Sequence, residues 1–140
     1  MHKVYILEFS IARTTKQLIP RCPMECHMKR ESGPWSCQVS LRFRYDALGN
    51  EIETPTSVPF GPILTNPTGV EPILRRAQAA ILNPNEDPQK FLSISEKQLQ
   101  DYKTDKAFNN GTLKFSKNAV CIEIRDPDAV NLSFVDLPGM

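Results

Sequence analysis

The stretch Leu132-Ser133-Phe134-Val135-Asp136-Leu137-Pro138-Gly139-Met140 constrains the fold more than any other part of the chain. Four mostly apolar residues rich in strand formers run into a carboxylate, a turn and a glycine. A buried parallel strand delivers an acid to the rim of a sheet with this pattern. In open α/β folds that rim is where ligands bind. The expectation is a central parallel strand over Leu132–Val135 with Asp136 at its mouth.

Asp-x-x-Gly after such a strand is what a nucleoside triphosphatase needs opposite its phosphate loop. The carboxylate of Asp136 suits a magnesium ion held through a water. A glycine at 139 lets the backbone N–H approach a terminal phosphate with no Cβ in the way. A second reading needs no ligand: Pro138 and Gly139 fit the two central positions of a type II turn.

With 140 residues and 40% hydrophobic content, the chain is expected to form one domain or a piece of one. Seventeen Lys+Arg against sixteen Asp+Glu leave a formal charge of +1, so no global field favours nucleic acid or an anionic membrane. The pairs Lys29-Arg30 and Arg75-Arg76 read as solvated faces. Prolines cluster in Thr54–Pro72 and Asn83–Pro88, which read as long irregular connections. No run approaches the roughly 20 apolar residues that span a bilayer. Met1–Leu7 resembles the start of a signal peptide, but Glu8 and Arg13 interrupt it. A cytosolic chain is expected.

Cys22, Cys26, Cys37 and Cys121, with His27 beside Cys26, raise the question of zinc. Pro20 and Pro23 disfavour a helix there, and in a strand Cys22 and Cys26 lie ~13 Å apart at ~3.3 Å per residue. That is too far for shared ligation or a disulfide. Buried, reduced thiols are expected.

Along the chain, Val4–Ile11 reads as a strand and Arg13–Gln17 as a polar basic stretch. Met24, Cys26 and Met28 alternate with Glu25, His27 and Lys29, a half-buried strand. Ser32-Gly33-Pro34 supplies a turn, and Val39, Leu41, Phe43 and Tyr45 alternate in a second strand that Asp46–Asn50 closes. The two in series predict an antiparallel pair, with Trp35 capping its end. Thr68 and Glu71 have capping-box spacing, and Val70, Ile73, Leu74, Ala77 and Ile81 form one helical stripe that Asn83-Pro84 stops. A shorter helix is expected over Ile94–Tyr102, capped by Ser95 with Gln98 behind it. Asn109-Asn110-Gly111 reads as a turn. Val120, Ile122 and Ile124 alternate into a strand ended by Asp126-Pro127-Asp128.

Three stretches together resemble the dynamin family of large GTPases. Arg21-Cys22-Pro23-Met24-Glu25-Cys26 is similar to the strand after the family's first switch, which reads Thr-Arg-x-Pro before alternating apolar residues. Ala119 to Met140 is similar, almost position by position, to the family segment that ends in Asp-Leu-Pro-Gly. The helix from Val70 falls between them, as in the family, and the strand and long insert from Trp35 resemble those of fungal members.

The resemblance covers Leu18 to Met140 and leaves residues 1–17 unmatched. It implies an incomplete α/β fold of the P-loop GTPase type, a mixed sheet with flanking helices. In the intact family it implies GTP hydrolysis with magnesium, coupled to self-assembly on membranes or microtubules, in a cytoplasmic and peripherally membrane-bound protein. Residue by residue it implies nucleotide contacts at Arg21, Asp136, Leu137, Pro138 and Gly139. Catalysis would rest on Asp136 and Gly139, with Asp136 reaching magnesium through water.

The sequence also departs from the family. No Gly-Lys dipeptide occurs anywhere, so the phosphate-loop pattern is absent. Neither Thr15-Lys16-Gln17-Leu18 nor Lys103-Thr104-Asp105 has the order of the guanine-reading motif. Pro20 stands where the family has the switch threonine, and proline offers no hydroxyl to a cation. A fragment inactive by itself and binding no cofactor is expected. The alternatives are a non-catalytic interaction module of related fold, or an unrelated small α/β binding protein.

Overall fold

The computed structural model describes residues 20–138. The expected strand at Val4–Ile11, the basic stretch after it, and Gly139 lie outside the described residues. Among the described residues five strands form one mixed sheet: β1 (Met24–Arg30), β2 (Ser36–Tyr45), β3 (Glu51–Pro59), β4 (Ala119–Asp126) and β5 (Leu132–Asp136), in the order β3-β2-β4-β1-β5. Three helices join them: α1 (Val70–Leu82), α2 (Glu96–Asp101) and α3 (Asp105–Asn109). The result is a small mixed α/β domain.

The most apolar strand, β4, takes the centre. Its Val120, Ile122 and Ile124 are fully buried, in register with Met24, Cys26 and Met28 of β1 on one side. On the other side Leu41, Val39 and Cys37 of β2 stand opposite the same three residues. These nine side chains form the sheet half of the core, and Val70, Leu74, Ala77 and Ile81 of α1 close over it. The stripe predicted for the helix is therefore the face it buries.

The antiparallel pair expected of β1 and β2 is corrected. β4 lies between them, parallel to β1 and antiparallel to β2. The short Glu31–Trp35 connection need only bridge two strand spacings, ~10 Å, and Gly33 turns it at a φ of +116°. Alternation in two successive strands specifies which face each buries, not which neighbour it takes. The longer Val120–Ile124 run, apolar enough to be covered from both sides, decides that.

The irregular connection expected from Thr54 is also partly corrected, because Glu51–Pro59 is a strand paired antiparallel with β2. Its two prolines, Pro55 and Pro59, are tolerated because it forms the sheet edge. The Asp46 carboxylate shapes the hairpin loop by accepting from the N–H groups of Leu48 and Asn50, both at 2.9 Å.

β2 and β3 slip register between Phe43 and Tyr45, and buried Asn118 holds that irregularity. Its Oδ1 accepts from the N–H groups of Arg44 (2.7 Å) and Tyr45 (2.9 Å), while Nδ2 donates to the Tyr45 carbonyl (2.9 Å).

At the start of α1 the expected capping box does not form. Asn66 caps a short 3-10 turn over Pro67–Gly69, accepting from Thr68 N–H, and Gly69 precedes the helix without a side-chain cap. Proline at 67 favours beginning the turn one step earlier. The box expected at Ser95 and Gln98 does form, each side chain satisfying the other's backbone N–H. Arg76 is not the solvated cation expected. Its guanidinium donates to the carbonyls of Phe91 (3.0 Å) and Ile94 (2.6 Å), tying the loop before α2 to α1. That loop delivers Phe91, fully buried and edge-on to Tyr102 at 5.0 Å between centroids.

The largest correction concerns β5. It is antiparallel to β1 and lies at the edge, not buried and parallel at the centre, and Val135 is 53% exposed. Leu132 and Phe134 share the core face with Met28 and Cys26, their register partners, and are partly buried there. Its alternation is that of a strand with one covered face, whereas a central parallel strand would be apolar on both.

Replacing Asn118 by alanine leaves two N–H groups and a carbonyl at the bulge without their partner. At about 1 kcal/mol for each lost bond, Asn118→Ala is expected to lower stability by roughly 2–4 kcal/mol, read as a reduced midpoint in urea. A shift equivalent to less than about 0.5 kcal/mol, the range of ordinary surface substitutions, would show that water replaces the side chain at no cost.

Candidate functional site

Of the residues singled out from the sequence as nucleotide contacts, the described ones, Arg21, Asp136, Leu137 and Pro138, lie at one rim of the sheet. β1 begins there and β5 ends there, so Asp136 stands in register with Met24. Pro20, Arg21, Cys22 and Pro23 lead into β1 beside it. Asp136 is half-buried, Leu137 is 67% exposed and Pro138 is half-buried.

The approach to β1 is fixed from the helix layer. The side chain of Gln78, buried on α1, accepts from Arg21 N–H at 2.9 Å, and the Arg21 carbonyl accepts from Ser116 N–H at 2.9 Å. The Arg21 guanidinium lies over the Phe108 ring of α3, 5.5 Å from its centroid. Burial there lowers the pKa of Arg21 from its ordinary value, partly offset by the neighbouring Cys22. The main chain of Arg21 thus comes to the Asp136 rim while its charge is directed to α3. Among the described residues Asp136 makes no ion pair.

A second arrangement escapes any linear reading. On the sheet face opposite α1, His27 Nδ1 and Ser133 Oγ are 2.9 Å apart, at paired positions of β1 and β5. Glu123 of β4 is the register partner of His27 on its other side. It pairs with Lys29 and Arg125, both at 3.3 Å, and Arg125 also reaches Glu31 at 3.6 Å. Partial burial pushes the Glu123 carboxyl up, but the hydrogen bonds from Lys29 and Arg125 outweigh it, so its pKa is lowered overall. His27, Lys29, Glu31, Glu123 and Ser133 line an open cleft of about 640 Å³ that also includes Arg30 and Asn131. The signal for it lay in the outward positions of three strands, but their adjacency depends on the strand order.

Further along the same face Arg42 pairs with Glu25, and the Cys121 thiol lies 3.5 Å from that carboxylate. The face is a mosaic of alternating charges already matched to one another. Such cross-strand pairs stabilise a solvated sheet surface.

All four cysteines are free and buried, as expected from their spacing. Among the described residues no group of three or more His, Cys, Asp or Glu side chains is placed to hold a metal. Nor is any described helix long and apolar enough to cross a membrane. Burial pushes the thiols of Cys22, Cys26 and Cys37 up to about 12, and that of Cys121 to about 11.

The thiolate is the reactive form, so the folded chain is expected to show no fast-reacting thiol toward Ellman's reagent at pH 8. All four should react once guanidinium unfolds it. Unfolded thiols ionise near 9.0 while the folded state retains their protons to about 11 or 12. The unfolded chain therefore binds fewer protons in that window, and stability should be complete below pH 9 and fall as pH rises from 9 to 12. One thiol titrating rapidly in the native chain would contradict the burial of that cysteine. Comparison of the sequence with models of known protein families and with curated proteins gave no match to either.

Proposed function

We propose that residues 18–140 form the early-middle part of a dynamin-type GTPase domain, in which Asp136 carries the outer-shell magnesium role. The observation that carries this reading is the meeting of two segments far apart in sequence. Arg21–Met24 and Asp136–Pro138, which hold four of the five nucleotide contacts that the resemblance implies, come to one rim through the register of Met24 with Asp136. A phosphate and its cation need contributions from both segments at one place.

On this reading Asp136 holds magnesium through a water, and Gly139 offers its backbone N–H to the γ-phosphate. Leu137 and Pro138 set the turn between them. The intact protein would hydrolyse GTP and assemble on membranes or microtubules from the cytoplasm. Gln78 is assigned a positioning role, since its side chain fixes the main chain of Arg21. Phosphoryl transfer relies on positioning and electrostatic stabilisation, so a chain with no Gly-Lys loop lacks most of the binding energy for nucleotide. Pro20, in place of the threonine of the family, removes a magnesium ligand as well.

The 140-residue chain is expected not to bind GTP at micromolar concentrations, as read by titration with a fluorescent GTP analogue. Saturable, magnesium-dependent binding would sink that expectation. In a chimera with a phosphate loop ahead of Leu18 and a guanine-reading half after Met140, Asp136→Ala is expected to lower kcat by roughly 100-fold or more, with a smaller change in nucleotide affinity. Hydrolysis by that variant at the parent rate would remove the assignment of this motif.

A further inference from the structure

The two edges of the sheet are built differently. β3 places Glu51, Glu53, Pro55 and Pro59 within one strand, and charges and prolines are what keep an edge from recruiting another strand. β5 reads Leu-Ser-Phe-Val-Asp, with no proline or lysine and its one charge at the end. It pairs continuously with Met24–Met28, so no bulge turns its outer edge away. Among the described residues nothing pairs with that edge.

Apolar surface collects at the same place. Val130, Val135 and Leu137 are 58%, 53% and 67% exposed, while Leu132 and Phe134 are only partly covered on the core face. A strand laid along β5 would satisfy its outer N–H and C=O groups and cover side chains on both faces.

We infer that the outer edge of β5 is a self-association surface, at which two copies of this chain pair antiparallel about a two-fold axis into one continuous sheet. The argument for a second copy is complementarity. A two-fold centred on Phe134 sets it against its own counterpart and Asp136 against Leu132 of the other copy. The two Asp136 carboxylates then stand ~13 Å apart, four residues at ~3.3 Å each, beyond a Debye length at physiological salt. Ser133 faces Val135, so no like charges oppose one another. A two-fold pairing needs only that one strand match itself, and this one does.

The contact is small. A single five-residue strand and its flanks bury less than the ~1,200 Å² of a standard interface, so the dimer is weak and reversible, with a Kd of roughly 10 µM or higher. The inference does not depend on the GTPase reading.

The test is sedimentation velocity of the 140-residue chain over a series from micromolar to submillimolar concentration, with hydrogen exchange of the β5 amides at both ends. A monomer–dimer equilibrium is expected, with the outward-pointing β5 amides, those not bonded to β1, protected only at high concentration. Val135→Lys should weaken association by at least about tenfold, or about 1.4 kcal/mol, without changing the circular dichroism spectrum. Leu137→Lys, just outside the strand, should also weaken it, and Thr56→Lys on β3 should not. A monomer at every concentration would overturn the inference, as would dimers of Val135→Lys as tight as the parent's. Protection of the outward-pointing β5 amides in the dilute monomer would overturn it too, by assigning the edge to another segment of the same chain.

Discussion

The rest of the structure depends on the double coverage of β4. Val120, Ile122 and Ile124 are flanked by three buried residues of β1 and three of β2. All nine belong to one buried cluster with Val70, Leu74, Ala77 and Ile81 of α1. Each fully buried side chain of this kind contributes on the order of 1.5–3 kcal/mol relative to exposure, so exchanging β4 for a less apolar strand would forfeit the main driving force for assembling the sheet. Once β4 is central, β1 and β2 must separate, β3 and β5 must become edges, and the rims acquire their composition.

That order also explains why the two faces of the sheet differ. With one face committed to α1, the outward positions of β1, β2, β4 and β5 fall into rows across the strands. Lys29 meets Glu123, His27 meets Ser133, and Glu25 meets Arg42 across the small Cys121. Alternating signs let a charged surface be dense without self-repulsion. The near-zero net charge of the chain is therefore a local arrangement as well as a sum.

Local signals were legible wherever the decision was local. The stripe from Val70 to Ile81, the Ser95/Gln98 box, the alternation in β1 and β2, and the buried state of the thiols could be read directly. What could not be read was set by tertiary competition. Nothing in Met24–Met28 says whether its neighbour is β2 or β4. Glu51–Pro59 looks like a loop until its edge position makes its prolines permissible. Arg76 looks like surface until the Phe91 loop folds back and offers two carbonyls. The His27–Ser133 pair spans most of the chain and exists only because β5 lies beside β1.

The edge position of β5 bears on the role of Asp136. A carboxylate at the end of a central strand has neighbours on both sides to orient it, whereas here, among the described residues, only β1 flanks it, through Met24. On the proposed GTPase reading, the groups that complete a phosphate and magnesium site must then approach from beyond the outer edge of β5. The inferred dimer would use that edge, setting Leu132 of the other copy beside Asp136 where an apolar side chain offers a cation nothing. The two occupations are mutually exclusive. Each would weaken the other by mass action, because whatever binds one form of the edge depletes the other.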